Sequence, residues 1–317
     1  MILGHKKQQE LLEKSIKSNK LSHAYLFYGP EQVGKKTVAL EFIKLLNCPT
    51  ASEFGQICGK CRSCRDIEKR MHPDLSIIET ETPTENSSKK EIKITQIKKL
   101  QRELSLSPYQ AKIKTVIVDE AENMNSEAQN CFLKTLEEPK GETILILIVE
   151  HPETLLPTIL SRVEKIKFSS LPKKEIENYL RGQKIDEKTI QDILLISDGK
   201  PGLAIDLAAH PEKITVQKQR IKDVARLSGA DTAFRFQYAK TLSQNPQELK
   251  DVLDVWQRYL RNVFLLKMKG LSSTGPFANY TILKLKNILK SLQDISSLIN
   301  STNVNPRLAL EMLMMEL

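Results

Sequence analysis

Short apolar runs alternate with helical patterns over the first 168 residues of the chain. The apolar runs have the length and composition of buried strands, and they cover 25–28, 75–78, 114–120 and 143–149. Helically spaced apolar residues separate these runs, at 5–19, 38–45, 94–104 and 126–137. Strands that alternate with helices form a parallel sheet with helices on both faces. The sequence therefore predicts an α/β domain over residues 1–168.

Beyond Phe168 every pattern is helical. Three short patterns, interrupted at 198–202 by Asp-Gly-Lys-Pro-Gly, predict a small helical domain over 169–210. Five further patterns predict a C-terminal helical domain over 211–317, with helices at 214–228, 231–243, 247–268, 278–299 and 305–316. A polar stretch rich in helix breakers, at 80–90, is predicted to be a loop.

Composition and charge narrow the class of protein. Of the 317 residues, 40% are hydrophobic and 27% are charged, which is typical of a globular protein. No apolar run approaches the roughly 20 residues of a membrane span, and no secretory signal is visible, so we expect a cytoplasmic protein. The net charge is +9, and 211–317 carry 16 basic against 9 acidic residues. Such a surface faces nucleic acid or acidic partner subunits, or is a solvated lysine-rich face, and both interpretations stay open.

The segment 29–36 reads Gly-Pro-Glu-Gln-Val-Gly-Lys-Lys and lies between a predicted strand and a predicted helix. This is the context of a phosphate-binding loop. Gly29 and Gly34 would let backbone N–H groups surround an anion, the helix N-terminus would add positive potential, and Lys35 would supply a point charge. The segment is therefore a candidate nucleotide-binding loop.

One position of this loop departs from the pattern that hydrolytic loops share. A hydroxyl that ligates Mg²⁺ is expected directly after the lysine, but Lys36 stands there and Thr37 follows it. One helical step of about 100° turns Thr37 away from the position of the missing ligand. We therefore expect a loop built for nucleotide that is degenerate as a site for ATP with Mg²⁺.

A pair of acids, Asp119 and Glu120, ends the third predicted strand about 90 residues after the glycine loop. In a nucleotide site the aspartate would orient Mg²⁺ through water, and the glutamate would polarise an attacking water. Parallel sheets bind ligands at the carboxyl ends of their strands, where both this pair and the glycine loop are predicted to lie.

Four cysteines, Cys48, Cys58, Cys61 and Cys64, give the spacing C-x9-C-x2-C-x2-C. In a cytoplasmic chain four thiolates at this spacing indicate a tetrahedral structural Zn²⁺ without an open coordination position. Free surface thiols or an iron–sulfur cluster are the alternatives. Cys131 lies on an apolar helical face and is predicted to be a core residue.

Arg162 follows Ser161 after the last long apolar run. A lone arginine at such a position caps a helix or pairs with a surface acid. Alternatively it is an arginine finger, a planar cation placed against the γ-phosphate of a neighbouring subunit in the transition state. Spacing alone does not decide between these roles.

Together these residues resemble the AAA+ clamp-loader ATPases of bacterial DNA replication. Besides the four cysteines, the matching segments are 23–30, 119–124, 128–139 and 156–162. Within that family the chain is similar to the delta-prime subfamily, through His-Pro-Asp at 72–74 and Asn-Val-Asn-Pro-Arg-Leu at 303–308. The arginine-proline segment expected near the N-terminus of the gamma/tau motor subunits is not found.

The resemblance implies an AAA+ P-loop α/β domain with a zinc-binding insertion, a small helical lid and an all-α collar domain. It implies a hetero-pentamer with the gamma/tau motor subunits and the delta subunit, which acts on the sliding clamp and, as an assembled complex, on primer–template DNA. In this DNA polymerase III holoenzyme, ATP held by the motor subunits drives clamp loading. Arg162, with Ser161, is expected to act in trans on a neighbouring motor subunit's ATP.

Three departures from the family pattern shape the expected activity. Lys36 replaces the Mg²⁺-ligating hydroxyl, and Leu203 and Ala204 stand where the motor subunits place an arginine. Val163 replaces the usual cysteine after serine-arginine, an exchange that we interpret as packing. We expect a largely non-hydrolysing stator and not an independent ATPase. The competing hypotheses are an active gamma/tau-like motor subunit and a zinc-bearing nucleic-acid-binding module.

Overall fold

The structure, a computed structural model, describes residues 2–54, 56–80, 91–270, 276–301 and 304–317. Most of the predicted loop at 80–90, and Asn303 of the closing motif, lie outside the described residues. The chain divides into two compact units, Met1–Glu175 with Lys200–Gly202, and Ile176–Gly199 with Leu203–Leu317. The further separation of 169–210 from 211–317 stays a prediction.

The first unit contains a five-stranded sheet in which every neighbouring pair of strands is parallel. The strands are β1 (Ala24–Tyr28), β2 (Leu75–Ile78), β3 (Lys114–Val118), β4 (Thr143–Val149) and β5 (Glu164–Lys167), in the order β2-β3-β4-β1-β5. Every residue of β3 and β4 is buried, as expected for central strands covered on both faces. Phe27 of β1 is in register with Ile148 of β4 and with Ile166 of β5, which fixes β1 beside both strands.

Helices cover both faces of this sheet. Those of the first unit are α1 (Lys6–Lys17), α2 (Lys35–Asn47), α3 (Pro49–Phe54), α4 (Arg62–Glu68), α5 (Ile94–Ser105), α6 (Ser126–Glu137) and α7 (Pro157–Leu160). One apolar core joins α1, α2 and α4 to the sheet, around Phe42 and Phe168, and a second joins α5, α6 and α7 around Phe132. Since alternate strand residues point to opposite faces, the same strands supply both cores.

Capping residues set where several helices begin. The Asn125 side chain accepts the Ala128 N–H at 2.8 Å, and α6 therefore begins at Ser126, as the sequence predicts. In the second unit the side chains of Asp231, Asn245 and Asn305 cap helix N-termini in the same way. A proline in the first turn is compatible with a helix because its missing N–H has no partner there in any case.

Helices are the only regular secondary structure among the described residues of the second unit. Its helices are α8 (Lys173–Gly182), α9 (Glu187–Ser197), α10 (Pro201–Ala209), α11 (Pro211–Leu227), α12 (Thr232–Leu242), α13 (Pro246–Met268), α14 (Ile282–Ser301) and α15 (Pro306–Glu316), and the first residues of α8 and α10 belong to the first unit. Trp256 lies at the centre of the core, fully buried, and its indole N–H donates to the Arg220 carbonyl at 2.9 Å. Among the described residues, none of the helices combines the length and apolar composition that a bilayer crossing requires.

Candidate functional site

The glycine loop and the acidic pair lie at the same edge of the sheet. The loop follows β1, and Asp119 and Glu120 follow β3, with β4 between the two strands. Because all of these strands are parallel, their carboxyl ends share one edge, where open α/β sheets bind their ligands. The predicted nucleotide-binding residues are therefore brought together.

Both loop glycines adopt backbone conformations that favour glycine. Gly29 has a φ of 141°, and a Cβ placed on it would lie 2.1 Å from the Phe168 carbonyl oxygen. Gly34 has a φ of 100° and is the N-cap residue of α2. The loop therefore turns sharply into the N-terminus of α2, where backbone N–H groups are free of helical partners.

Lys35, in the first turn of α2, is buried, and its ammonium group turns back onto the loop. It donates to the Pro30 carbonyl at 2.8 Å and to the Gly29 carbonyl. Burial is the main influence on its pKa and lowers it, against the opposing effect of four acids: Glu150, Glu122, Glu31 and Asp119. The lysine ammonium is thus held against the backbone of the glycine loop, as a phosphate-binding role would require.

Lys36 forms ion pairs with two acids at the same edge. Its Nζ lies 2.8 Å from Asp119 Oδ2 and also contacts Glu79 Oε1. The side chains of Lys36 and Asp119 are only 22% and 23% exposed, so the pair is largely shielded from solvent. Glu79 also lies within 3.4 Å of Arg70 Nη1. The carboxylate predicted to orient Mg²⁺ is therefore already paired with a cation.

Magnesium does not fit this arrangement of side chains. A Mg²⁺ placed about 4 Å from an ammonium group, at an effective dielectric constant of about 20, is repelled by roughly 8 kcal/mol. Thr37, the nearest hydroxyl in the sequence, is exposed, in agreement with the predicted turn away from the ligand position. The pairing of Lys36 with Asp119 therefore argues against a magnesium ion at this site.

Glu120 is held by two side chains. One oxygen of its carboxylate accepts from Thr80 Oγ1 at 3.3 Å and from Asn123 Nδ2 at 3.1 Å. Glu122 lies more deeply, accepts the Glu150 N–H at 2.9 Å through Oε1, and leaves Oε2 buried without a hydrogen-bond partner. Burial raises the pKa of Glu122, ahead of the smaller opposing effects of the Glu150 N–H and Lys35.

Arg162 lies just beyond the C-terminus of α7. Its Nη1 donates to the Thr158 carbonyl at 3.0 Å, and its Nη2 lies 2.9 Å from Glu137 Oε1 at the end of α6. The arginine side chain remains 38% exposed. Within this chain the arginine therefore pairs with a surface acid, one of the two roles expected from the sequence, while its guanidinium stays accessible to a neighbouring molecule.

The four cysteines predicted to bind metal come together in space. Their sulfur atoms all lie within 4.8 Å of one another, and the Cys48 and Cys58 sulfurs are 3.6 Å apart. Four sulfurs at about 2.3 Å from a tetrahedral Zn²⁺ are roughly 3.8 Å apart, so the cluster fits this ion. The cluster confirms that these residues could hold a metal.

Backbone N–H groups donate hydrogen bonds to sulfurs of this cluster and so favour their thiolate forms. The N–H groups of Lys60 and Cys61 lower the pKa of Cys58 to about 6, and the Cys64 N–H donates to the Cys61 sulfur at 3.3 Å. Burial, followed by contact with Cys61, raises the pKa of Cys64, so metal binding there must displace a proton. Cys131 lies elsewhere, with its sulfur 3.7 Å from Gln101 Oε1.

Three residues near the sites are not predicted from the sequence. The Gly202 N–H donates to the Gln32 carbonyl of the glycine loop at 2.8 Å. His5, whose pKa burial lowers, donates from Nε2 to the Val33 carbonyl of the same loop at 2.7 Å. Glu79 contacts Lys36. Each of these residues contacts a partner that is distant in sequence, so local patterns do not predict the contacts. The only sequence signals were the His-Pro-Asp motif, which precedes Glu79, and the Gly-Lys-Pro-Gly motif, which ends at Gly202.

Comparison with known proteins identifies the family. Residues 4–172 match the family model described as DNA polymerase III, delta subunit. Over 176 residues the chain is 38% identical to DNA polymerase III subunit delta' of Bacillus subtilis, a match that covers 56% of this chain and 51% of that protein. Over 203 residues it is 32% identical to subunit delta' of Pseudomonas aeruginosa, covering 63% and 59%. These matches span only half to three fifths of the relatives' length.

The fold has a solved counterpart. The chain superposes with a TM-score of 0.51 on a DNA polymerase III gamma subunit-related protein from Thermotoga maritima, at 21% identity and 97% coverage of both chains. The predicted fold class is therefore confirmed: a parallel α/β sheet, an insertion with four clustered cysteines, and a helical C-terminal region. On the sequence match the chain belongs to the family of DNA polymerase III delta-prime subunits.

Proposed function

We propose that this chain is a clamp-loader subunit that works as a stator and hydrolyses no ATP of its own. The observation that carries this proposal is the ion pair between Lys36 and Asp119, which occupies the carboxylate that a hydrolytic site would direct at magnesium. The positions where the motor subunits of the family place a lid arginine are Leu203 and Ala204, and both are buried and apolar. The loop therefore has neither a free carboxylate for magnesium nor the arginine that the lid of a motor subunit supplies. We assign ATP hydrolysis to other subunits.

The stator contributes Arg162 to a neighbouring motor subunit. The guanidinium is partly exposed and has a planar fork that suits the oxygens of a γ-phosphate. In related phosphoryl-transfer systems an arginine supplied in trans raises the rate by about 10³–10⁵. Arg162 would therefore accelerate hydrolysis in a site that this chain does not itself contain.

The partners follow from the family. We propose a cytoplasmic hetero-pentamer with the gamma/tau motor subunits and the delta subunit, which opens the sliding clamp and closes it on primer–template DNA. Support comes from α15, where Leu308, Met312 and Met315 recur on one face and are 58%, 70% and 73% exposed. An exposed apolar stripe at helical spacing is a surface for another helix, as expected in a collar of subunits.

The four cysteines hold a structural Zn²⁺ in this proposal. Cys58, Cys61 and Cys64 lie at or just before the first turn of α4, and Cys48 follows the last residue of α2. When bound, the ion supplies a fixed link between these two helices. Because every ligand is a protein thiolate, the cluster leaves no coordination position for a reacting water.

The test is the ATPase rate of the reconstituted loader with Arg162→Ala in this subunit. We expect normal assembly and at least a several-fold loss of DNA-stimulated hydrolysis, because the site that faces this subunit loses its arginine. Arg181→Ala is the matched control, since Arg181 is also exposed and paired with acids, Glu177 and Glu187, and should leave the rate unchanged. Normal ATPase in the Arg162→Ala loader would refute the arginine finger.

A second measurement tests the stator assignment independently. The isolated full chain should show no Mg²⁺-dependent ATP hydrolysis above a control without protein. Brisk turnover that Lys35→Ala abolishes would instead identify an active motor subunit.

A further inference from the structure

Lys36 belongs to a network of ion pairs at the carboxyl ends of the strands. Its ammonium contacts Asp119, after β3, and Glu79, after β2, and Glu79 in turn contacts Arg70. The network contains two cations and two anions. Contact with Lys36 is the main cause of the lowered pKa of Glu79, so that carboxylate is held in its charged form.

We infer that the Lys36 ammonium is a resident substitute for the divalent cation of the glycine loop, held there by Asp119 and Glu79. The inference rests on the proposed assignment of 29–36 as a phosphate loop and deepens it. It states that this chain takes up no Mg²⁺ at Asp119. Any nucleoside polyphosphate that the loop accepts is bound as the metal-free anion.

The geometry explains how one side chain replaces the metal. Position 36 is in the first turn of α2, directly after Lys35, so its side chain begins where the metal-ligating hydroxyl of a hydrolytic loop begins. The long aliphatic stem of lysine carries the charge from there to the strand-end carboxylate, without a metal between them. An ammonium group brings one positive charge where Mg²⁺ would bring two, and it has no coordination position for a reacting water.

The neighbouring residues keep the remaining parts of an anion site. Lys35 is still directed at the loop carbonyls, and Gly34 still turns the backbone into the α2 N-terminus. These groups require no metal in order to attract phosphate oxygens. The acids facing Lys35 are Glu31, Asp119, Glu122 and Glu150, and pairing of Asp119 with Lys36 reduces their net repulsion of an anion.

The experiment measures metal uptake on zinc-loaded full chain, with Mn²⁺ as the probe of the magnesium position and ADP as the nucleotide. In the wild-type chain we expect no Mn²⁺ uptake that depends on Asp119. The dissociation constant for ADP measured with Mg²⁺ present should agree within about twofold with the one measured in EDTA. Lys36→Thr installs the missing hydroxyl and removes the ammonium. This variant should gain Mn²⁺ uptake and bind ADP at least about tenfold more tightly with the metal than without it.

Two controls assign the effect to the charge at position 36. Lys36→Arg keeps a cation and should stay independent of metal, and adding Asp119→Asn to Lys36→Thr should abolish the gained uptake. The inference is overturned if the wild-type chain takes up Mn²⁺ and the single variant Asp119→Asn does not. It is also overturned if Mg²⁺ strengthens the binding of ADP to the wild-type chain about tenfold, or if Lys36→Thr folds and still takes up no Mn²⁺. If Lys36→Thr does not fold, the wild-type comparison of ADP in Mg²⁺ and in EDTA decides alone.

The outcome is separable from that of the proposed function. The stator proposal fails through the loader ATPase of Arg162→Ala, a residue that follows α7 and lies outside the glycine loop. Metal uptake by the wild-type chain would overturn the role of Lys36 and leave a trans-acting Arg162 intact.

Discussion

Arg162 and Glu137 form an ion pair at the surface of the first unit, with Nη2 2.9 Å from Oε1. The two side chains are 38% and 49% exposed. Exposed pairs of this kind contribute only about 0–1 kcal/mol to stability, because water competes for both charges. Arg162 can therefore leave Glu137 at little energetic cost, which its proposed contact with a neighbouring subunit's phosphate would require.

The first prediction concerns Glu137→Gln. Because the exposed pair is weak, the melting temperature of the variant should change by less than about 2–4 °C. The ATPase rate of a loader containing it should equal or exceed the wild-type rate, since Arg162 keeps its bond to Thr158 and loses only its surface acid. Steady-state ATPase assays with primed DNA measure this. A loss as large as that of Arg162→Ala would show that Glu137 itself is required.

The second prediction concerns the cysteine cluster. Protein purified without added metal should contain about one Zn²⁺ per chain, and Cys64→Ser should reduce this content and lower the melting temperature. If Cys64→Ser lowers the free energy of unfolding by about 2 kcal/mol, its melting temperature should fall by roughly 4–8 °C, the shift typical of a domain of 150–250 residues. Metal analysis and calorimetry are the measurements.

Cys131→Ser is the matched control for the zinc cluster. Its sulfur contacts Gln101 and takes no part in the cluster, so this variant should keep its metal. Wild-type protein that is free of metal and melts at an unchanged temperature after zinc is added would contradict the structural role.

The central strands and most helices could be predicted because their apolar patterns are strong. The strands at 75–78 and 143–149 and the helix at 126–137 have the predicted bounds. The strand β5 was not predicted, because only Ile166 of its four residues is buried and the others are charged. An edge strand is defined by its neighbour, here β1, and not by its own composition.

The parts of the candidate sites that could be predicted are those whose residues are close in sequence. The cysteine cluster and the glycine loop could be located because their residues are close in sequence. The role of Glu79 could not, because Lys36 reaches it across 43 positions of sequence and only the fold brings the two together. The exposed state of Arg162 likewise depends on how α6 and α7 are placed, which no local pattern records.

The third prediction compares two glycines of the loop. Gly34→Ala places a Cβ in open space, so its penalty comes only from the positive φ and should be about 1–3 kcal/mol. Gly29→Ala brings the new Cβ into the Phe168 carbonyl oxygen as well, and it should destabilise the chain by more than about 4 kcal/mol. Urea unfolding of both variants tests this order. Equal losses would show that the Phe168 backbone moves aside freely.

The fourth prediction concerns Asp74, whose side chain anchors the loop after α5. One carboxylate oxygen accepts the Tyr109 N–H at 2.7 Å, and the other accepts the N–H groups of Gln110 and Ala111 at 2.8 Å each. Burial alone would raise the pKa of Asp74, but the three N–H donors outweigh it, and the pKa is lowered from 3.8. The charged carboxylate is therefore the form that the folded chain prefers.

The sign of the pH dependence follows from that preference. A carboxyl group whose pKa is lower in the folded chain stabilises it above the unfolded pKa, and this contribution is lost as the pH falls through the folded value. Asp74→Asn should cost about 1.5–3 kcal/mol near pH 7, because hydrogen bonds to a charged acceptor are lost. The difference between wild type and variant should shrink as the pH falls below 3.8. Urea unfolding of both proteins between pH 7 and the acid limit of folding measures it, and a difference that stays constant with pH would show that the Asp74 carboxylate is not the stabilising group.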